Sequence, residues 1–380
     1  MRVLHFFKTY WPDTFGGVER TIHAIVNGTA KYGVESDVLS LSKKPLENSV
    51  ELDGHMAHKA KLNFEFASTG FSCEVFGRFR ELSRKADIIH YHFPWPLMDI
   101  VHLVTHAGKP AIVTYHSDIV KQKLLLKLYE PVMHRFLTSV DRIVATSPNY
   151  LATSEVLQRY KDKTTVIPLG LDEADYPKAS DQDKARWRAR LPKPFFLFVG
   201  VLRYYKGIHI LLEAARRTNT NVVIVGQGPM EASLKSFMKQ HDLHNVFFLG
   251  ALPDVDKTAL LELCSGVVFP SNLRSEAFGL SLVEAAMFAK PMISCEIGTG
   301  TSFVNQDCKT GYVVQPDDPS ALAKAMERLV DDGESIASLG AAARLRYKEF
   351  FTAEQMGHKY ATVYDELLTE LGTERSMRAK

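Results

Sequence analysis

The chain has 380 residues, of which 46% are hydrophobic and 24% are charged, and its formal net charge is +2 at pH 7. A single hydrophobic core rarely grows beyond roughly 250–300 residues, so this length predicts two domains. The nearly neutral charge gives no reason to expect nucleic acid as a partner. The four scattered cysteines have neither disulfide-framework nor zinc spacing. Neither a signal-like nor a membrane-spanning apolar run is present, which predicts a cytoplasmic protein.

Short apolar runs alternate with longer helix-like segments along the chain. The predicted strands are 2–7, 36–41, 87–93, 110–116, 141–146 and 164–169 in the first half, and 195–200, 221–226, 245–250, 266–270, 291–295 and 311–315 in the second. Several of these runs are continuous in Val, Ile and Phe, as in parallel strands that are buried on both faces. Strands that alternate with helices predict right-handed βαβ units in open, doubly wound sheets.

We therefore predict an α/β protein with two Rossmann-like domains, 1–172 and 194–352, joined by a connection at 173–193. A helical pattern at about 353–371 can pack back on the first domain. The poorly periodic segment 47–72 is interpreted as an irregular excursion. Ligands of open α/β sheets bind beyond the carboxyl ends of the strands, so two such edges facing each other would form a deep cleft. The residues that directly follow strands are the candidates for function.

The segment after the strand at 266–270 carries two carboxylates. A loop with Glu276 and Gly279 leads into a helix that carries Glu284. Gly279 lets a ligand approach the backbone because it has no Cβ, and free N–H groups at a helix start can bind an anion or a hydroxyl-rich ring. An ionised glutamate only accepts hydrogen bonds, which suits sugar or ribose hydroxyls. Ser281-x-x-Glu284 is equally well interpreted as a capping box, in which the glutamate satisfies a helix amide.

Two cations and two glycines follow other predicted strands. Arg203 and Lys206 precede a helix at 207–217, where fixed cations could stabilise the negative charge of a departing nucleoside diphosphate. The alternative, two solvated charges at a helix start, is less attractive because cations there oppose the helix dipole. Gly16 and Gly17 lie between the first strand and a helix. Such a turn suits a phosphate, or it is an ordinary tight connection.

One histidine ends a predicted strand. His116 is the last residue of the run 110–116 and is expected at the mouth of the cleft. A lone histidine in such a place is more often structural than functional. Asp118 could orient it, because a carboxylate often fixes the second nitrogen of a histidine.

Taken together, the motifs resemble those of glycosyltransferase family 4, whose members adopt the two-domain GT-B fold. The signature is the Glu-x7-Glu element that runs from Glu276 to Glu284. The other matching stretches are Phe15-Gly16-Gly17-Val18-Glu19-Arg20, Thr114-Tyr115-His116-Ser117-Asp118, Val166-Ile167-Pro168-Leu169-Gly170-Leu171-Asp172, Gly200-Val201-Leu202-Arg203-Tyr204-Tyr205-Lys206-Gly207 and Val225-Gly226-Gln227-Gly228-Pro229. Each motif alone is weak, but their order and spacing extend through nearly the whole chain.

The resemblance implies a nucleotide-sugar donor site with a role for each matching position. The implied groups are His116 and Glu276 at the reacting sugar, Gly16, Gly17, Arg203 and Lys206 at the diphosphate, and Phe278, Gly279, Leu280 and Glu284 at the donor sugar and ribose, with Asp118 in support. The second domain would then bind the donor and the first domain the acceptor.

The resemblance also implies transfer with retention of configuration by same-face substitution. A double displacement needs two carboxylates about 5–5.5 Å apart, and only Glu276 is a plausible candidate. We expect neither a metal nor another cofactor. Asp254-Val255-Asp256 spells the DxD triplet of metal-dependent transferases, but it opens a predicted helix, where capping is the better explanation.

Donor and partner are only partly readable. The stretch from Gly298 to Asn305 resembles the branch that builds bacterial surface polysaccharides with mannosyl- or rhamnosyl-type transferases. This resemblance implies a GDP-linked hexose such as mannose and a saccharide or lipid-linked saccharide acceptor. The basic, amphipathic segment from Lys121 to Tyr129 could rest on an anionic membrane surface at the cytoplasmic face, or it could pack its leucines inward.

Two other functions are compatible with parts of this pattern. A nucleotide-sugar epimerase can share the two-domain architecture but transfers nothing to an acceptor. The Arg-x-x-Lys element at Arg203 and the Glu-x7-Glu element at Glu276 argue against it. A non-catalytic, two-lobed sugar-binding protein would need an export signal, which the sequence does not show.

Overall fold

The computed structural model of the protein describes residues 1–45, 49–66, 69–119 and 123–378. The chain forms two compact units: the first contains residues 1–170 and the chain from 353 onward, and the second contains residues 171–352. Within the described ranges, no helix is both long and apolar enough to cross a membrane.

The first unit alternates strands and helices. Its elements are β1 (Arg2–Phe6), α1 (Gly17–Ala30), β2 (Glu35–Ser42), β3 (Ser49–Leu52), β4 (His55–Lys61), β5 (Phe64–Phe66), β6 (Thr69–Phe71), α2 (Glu74–Lys85), β7 (Ile88–Phe93), α3 (Pro96–Thr105), β8 (Ala111–Tyr115), α4 (Lys123–Ser139), β9 (Arg142–Ala145), α5 (Pro148–Thr153), α6 (Glu155–Arg159) and β10 (Thr164–Val166).

The second unit continues the same alternation. Its elements are α7 (Asp181–Arg190), β11 (Phe195–Val199), α8 (Ile208–Ala215), β12 (Asn221–Val225), α9 (Glu231–Gln240), β13 (Val246–Gly250), α10 (Asp254–Leu263), β14 (Gly266–Phe269), α11 (Leu280–Met287), β15 (Met292–Cys295), α12 (Thr301–Val304), β16 (Gly311–Val314), α13 (Pro319–Asp331) and α14 (Gly333–Phe350). The last helix, α15 (Ala353–Arg378), belongs to the first unit.

The sheet of the first unit has the strand order β10-β9-β8-β7-β1-β2-β4-β3. All neighbouring pairs are parallel except β3 with β4. After β1 the chain first adds strands on the β2 side and later crosses to β7, so the strand order reverses between β1 and β7. Both strands are almost wholly buried. Such a reversal is where open α/β sheets bind ligands, beyond the carboxyl ends of the strands.

The sheet of the second unit is wholly parallel, with the order β13-β12-β11-β14-β15-β16. Its order reverses between β11 and β14. The apolar strands are covered by helices α8 and α13, whose leucines and isoleucines pack against them in one buried cluster. Continuous apolar strands therefore mark a sheet that is buried on both faces.

The prediction of parallel α/β sheets in two domains is confirmed, and each of the twelve predicted strands is present. Their ends agree within one residue, except that β10 ends at Val166 rather than at 169. The interpretation of 47–72 as irregular is wrong. The described residues of this segment form four strands, of which β3 and β4 extend the large sheet and β5 and β6 form an antiparallel pair.

Helix α15 packs closely on α1. A Cβ on Gly357 would lie 2.4 Å from the carbonyl carbon of Gly28, so the two helix backbones are in direct contact. The Tyr360 hydroxyl lies 2.8 Å from Thr114 Oγ1 on β8, and both side chains are fully buried. The end of the chain thus completes the packing of the unit in which the chain began.

Candidate active site

At the strand-order reversal of the second unit, a lysine meets a glutamate. Lys206 follows β11 and Glu276 follows β14, and Lys206 Nζ lies 2.5 Å from Glu276 Oε2. The two side chains are 13% and 11% exposed, so water screens this ion pair weakly. The Lys206 ammonium also lies 4.5 Å from the centre of the Phe269 ring at the end of β14, a cation–π distance. The sequence-predicted cation and carboxylate therefore form one unit.

The backbone before α8 holds Lys206 in this place. Residues 204–206 form a short 3-10 helix, and Gly207 then adopts a left-handed conformation with φ of 65°. A Cβ on Gly207 would lie 1.9 Å from the Pro270 carbonyl oxygen, so only glycine lets the two loops approach this closely. The loop that carries the cation is thereby fixed to the loop that carries the carboxylate.

The glycines of Val225-Gly226-Gln227-Gly228 serve packing. A Cβ on Gly226 would lie 2.0 Å from the Gly200 carbonyl oxygen, and one on Gly228 would lie 2.6 Å from the Leu202 oxygen. Two loops at the edge of the second sheet therefore touch through their backbones, and both glycines of this stretch have a structural explanation.

A second left-handed glycine precedes α11. Gly279 has φ of 89° and directly precedes the first helical residue, Leu280, and no side chain caps the helix start. The free amides of this turn point away from the helix, as anion or hydroxyl binding requires. The Phe278 side chain is buried, and a Cβ on Gly300 would lie 2.5 Å from its ring. Phe278 therefore contributes packing and a backbone amide rather than an accessible side chain.

Glu284 lies in a buried polar cluster on α11. Its Oε1 accepts a hydrogen bond from the Tyr176 hydroxyl at 2.8 Å and lies 3.1 Å from Lys257 Nζ. The capping-box interpretation is wrong, because Ser281 Oγ instead donates to the Val199 carbonyl oxygen at 2.9 Å. Sequence reasoning missed Lys257 and Tyr176, since neither lies in a motif.

The DxD triplet opens α10 as expected, directly after the N-cap residue Pro253. Asp254 Oδ1 lies 3.1 Å from Lys257 Nζ, and Asp256 Oδ1 accepts a hydrogen bond from Trp187 Nε1 at 2.8 Å. Asp256 also pairs with the Arg186 guanidinium. Both carboxylates therefore have structural partners in the second unit.

Arg203 differs from Lys206 in its surroundings. It is exposed, and within the described residues its guanidinium forms no ion pair. The neighbouring Tyr205 is half-buried, and burial, with the charge of Glu276 adding to it, raises the pKa of Tyr205 to about 12. Arg203 is thus the accessible cation of this loop, and Lys206 is the anchored one.

In the first unit, the glycine turn follows β1. Gly16 directly precedes α1 in an extended conformation, and the helix start has no side-chain cap. A Cβ on Gly16 would lie 2.3 Å from Glu19 Oε2, and Glu19 Oε1 accepts a hydrogen bond from Thr14 at 2.8 Å. An anion bound at Gly17 would be repelled by the Glu19 carboxylate. This repulsion counteracts the attraction that the helix dipole exerts on an anion. The buried ammonium of Lys59, which donates to the Tyr10 carbonyl oxygen at 2.9 Å, lies beneath the same loop.

His116 directly follows β8 at the carboxyl edge of the sheet and is 8% exposed. Its Nε2 lies 3.0 Å from His92 Nδ1, so the histidine is oriented by another histidine rather than by Asp118. Asp118 Oδ1 instead accepts hydrogen bonds from Tyr115 at 3.0 Å and Ser154 at 2.7 Å. Burial lowers the pKa of His116 to about 3, so the ring is neutral at physiological pH. His92 was not singled out from the sequence.

Two sets of predicted residues are thus brought together. Lys206, Glu276 and the turn at 278–280 share one edge of the second sheet, and the glycine turn and His116 lie at one edge of the first. Glu284 lies on the helix that follows the 278–280 turn, with its own partners. Tyr115, on β8, supports Asp118.

Comparison with known proteins identifies the class. The family model described as "Glycosyl transferases group 1" matches residues 179–346, and the model described as "Glycosyltransferase Family 4" matches residues 15–175. The chain is 52% identical to D-rhamnosyltransferase WbpZ of Pseudomonas aeruginosa, with the full length of both chains covered. It is 51% identical to O-antigen chain mannosyltransferase C of Escherichia coli, with 97% of this chain and 99% of the relative covered.

A solved structure shares the fold. Sucrose-phosphate synthase from Thermosynechococcus elongatus superposes with a TM-score of 0.82 at 20% identity, covering 97% of this chain and 99% of that one. The protein is thus a glycosyltransferase with the GT-B fold. It belongs to glycosyltransferase family 4, which confirms the resemblance seen in the sequence.

Proposed function

We propose that this glycosyltransferase moves a hexose, mannose or a closely related sugar, from a GDP-sugar to a saccharide or lipid-linked saccharide acceptor in surface-polysaccharide synthesis. The Lys206–Glu276 pair at the strand-order reversal of the second sheet carries this proposal. It sets a cation and a carboxylate in contact at the edge where open α/β sheets bind ligands.

Each group has a defined part in the reaction. Lys206 and the exposed Arg203 neutralise the charge that builds on the departing diphosphate. Glu276 and the amides at 278–280 hold the donor sugar, and Glu284 accepts from the ribose hydroxyls. In the first unit, the turn at Gly16 and Gly17 approaches the diphosphate, and His116 contacts a hydroxyl of the sugar.

The donor is inferred from the relatives. A D-rhamnosyltransferase and an O-antigen mannosyltransferase are both about half identical to this chain over nearly its full length. D-Rhamnose is 6-deoxy-D-mannose, so the two sugars share the configuration that a donor site must recognise. The relative named for the O-antigen chain supports a saccharide chain as the acceptor.

The donor is tested by calorimetric titration with GDP-mannose, GDP-D-rhamnose, UDP-glucose and ADP-glucose. Binding of the GDP-sugars alone, followed by transfer to a lipid-linked saccharide, is the expected result. Turnover without an acceptor would favour the epimerase alternative, and tight binding of UDP-glucose alone would contradict the GDP assignment.

Retention and metal independence are tested on the same reaction. We expect the α-linked donor to give an α-linked product, read from the anomeric proton signal. We also expect the rate to be unchanged by a chelator, because positive side chains take the part that a metal plays at the diphosphate in DxD enzymes. An inverted product, or activity restored only by a divalent ion, would overturn these two assignments separately.

Peripheral contact with the cytoplasmic membrane face is also proposed. Lys121 and Gln122, the start of the basic amphipathic segment, lie outside the described residues. Within α4, the Leu128 side chain is 77% exposed, which opposes inward packing of this leucine. We expect the protein to sediment with anionic vesicles and Leu128→Ser to weaken sedimentation, whereas exposed Leu345→Ser should not; equal effects would remove the membrane assignment.

A further inference from the structure

Three histidines form a hydrogen-bonded chain that ends at the candidate site. His5 Nδ1 on β1 lies 3.2 Å from His92 Nε2 on β7, and His92 Nδ1 lies 3.0 Å from His116 Nε2. His5 and His92 are fully buried, whereas His116 reaches the carboxyl edge of the sheet. The chain therefore connects the sheet interior to one of the residues that the proposed function places at the sugar.

Each ring carries one N–H. Burial lowers the pKa of His5 and of His116 to about 3, and it holds the pKa of His92 well below its usual value. A neutral imidazole has one donor nitrogen and one acceptor nitrogen. The protons of the three rings must therefore all point the same way along the chain.

The interior end of the chain indicates its direction. His5 Nε2 is buried and has no hydrogen-bond partner among the described residues. If the protons pointed inward, Nε2 would be a buried N–H without an acceptor, and such orphaned donors are among the rarest groups in folded proteins. If the protons point outward, His5 Nε2 carries a lone pair instead of a proton. Every N–H of the three rings then has an acceptor, except the N–H of His116.

The last N–H is the one on His116 Nδ1. Within the described residues, no group hydrogen-bonds to this nitrogen. We propose that His5 and His92 are positioning residues that hold His116 as its Nδ1–H tautomer, so that the site presents a hydrogen-bond donor to a sugar hydroxyl oxygen. The contact to sugar rests on the proposed function, but the tautomer does not.

The same histidine cluster could also be interpreted as a metal site. The ligand atoms of His5, His90 and His92 lie within 4.8 Å of one another. However, His90 Nδ1 lies 2.6 Å from the Tyr364 hydroxyl, and His90 Nε2 lies 2.7 Å from Thr114 Oγ1. With both His90 nitrogens occupied, the geometry favours hydrogen bonds over metal ligation.

The tautomer is measured on the substrate-free wild-type protein. Long-range 1H–15N correlation spectra of 15N-histidine-labelled protein distinguish protonated from pyridine-type nitrogens, and His116→Gln assigns the signal. We expect His116 to be protonated at Nδ1 only. Protonation at Nε2, or a stoichiometric metal found by mass spectrometry, would overturn the proposal, and neither result depends on transferase activity.

Two matched variants test the positioning role. His92→Asn keeps a side-chain N–H near the position of Nδ1, whereas His92→Leu removes it. We expect His92→Leu to move the His116 Nε2 signal towards that of an unbonded nitrogen and to lower kcat about tenfold with little change in donor KM. We expect His92→Asn to keep most of the wild-type kcat and a His116 Nε2 signal close to that of the wild type. Tyr364→Phe, which affects only His90, is the control and should alter neither.

A purely structural role predicts a different pattern. In that case all three variants would lower the thermal midpoint, and kcat would follow stability rather than the His116 signal. If His92→Leu fails to fold, the wild-type spectrum still decides the tautomer. If no sugar is transferred by any variant, the proposed function fails while the hydrogen-bonded chain remains testable.

Discussion

At the scale of single residues, Lys206 and Glu276 hold each other in a nearly buried ion pair. A buried charge without its partner is costly, so each side chain holds the other in place before any ligand arrives. If the proposed function holds, a diphosphate that approaches Lys206 meets a cation whose position is already fixed, so that less side-chain entropy is lost on binding.

Lys206→Ala should therefore weaken binding of the nucleoside diphosphate. Loss of one charge-assisted hydrogen bond, worth about 1.5–3 kcal/mol, corresponds to roughly 10- to 100-fold weaker binding. Titration calorimetry with GDP measures this change.

The same substitution also leaves the Glu276 carboxylate without its cation, so a control for stability is needed. The double variant Lys206→Ala with Glu276→Gln removes the unpaired charge and should recover stability but not GDP binding. Recovery of binding together with stability would mean that Lys206 acts on the fold alone.

His5 makes a prediction about pH. Its pKa is about 3 in the folded protein, mainly because of burial; His55 lowers it further and Asp37 raises it. Between pH 3 and the unfolded value of 6.5, the unfolded chain binds a proton that the folded chain does not, so stability rises with pH in this window. Above pH 6.5 the imidazole is neutral in both states, so stability no longer changes with pH through this group.

His5→Asn keeps a donor towards His92 but cannot titrate. We expect the slope of unfolding free energy against pH, measured by urea titration between pH 5 and 6, to fall by about 1 kcal/mol per pH unit. The wild-type protein, measured in the same titrations, is the reference. An unchanged slope in His5→Asn would show that His5 is protonated when folded.

At the scale of elements, the sequence indicated long, uniform strands well and short or polar ones poorly. The continuous apolar runs of β11 and β14 could be located within one residue. The strands between 49 and 71 were missed, because all three residues of β5 are exposed and β3, although it alternates polar and apolar residues, is only four residues long. Pairing with β4 stabilises β3, and sequence-local patterns do not show such pairing.

The candidate site shows the same division. Motif residues such as Glu276 and Gly279 could be named because they match a family pattern. Lys257 and Tyr176, the partners of Glu284, could not be named, because only the fold brings them to that carboxylate. The sequence did contain one indication of the histidine cluster. His90 and His92 are two positions apart on a strand, so alternation places both side chains on one face of the sheet.

The crossing of α1 and α15 makes a prediction at this scale. Gly357→Ala should lower the free energy of unfolding by about 1–3 kcal/mol, because the added methyl group forces the two helix backbones apart. Gly77→Ala in α2 is the matched control, since open space surrounds its Cβ position; it should stabilise by about 0.5–1 kcal/mol. Both changes are measured by urea unfolding, and equal effects would contradict the close crossing.

At the scale of the whole molecule, the first unit is built from both ends of the chain. A chain that ends at Thr352 lacks Tyr360 and Tyr364, whose buried rings cover His90 and Thr114. We expect hydrogen exchange to show lost protection in β7 and β8 and retained protection in β11 and β14.

A chain that ends at Glu370 is the control for this truncation, because it keeps the buried residues through Leu367. It should exchange like the full-length protein. Protection of β7 and β8 in the shorter chain would show that α15 is dispensable for the first unit.

This arrangement has a consequence for how the protein is made. Ribosomes add roughly 5–20 residues per second, so roughly 10–40 s pass between the synthesis of Gly170 and that of the last turn of α15. The second unit emerges whole in that interval, whereas the first waits for its final helix. The unit that is translated first is therefore the last to be completed, and its sheet lacks the cover of Tyr360 and Tyr364 until α15 has been made.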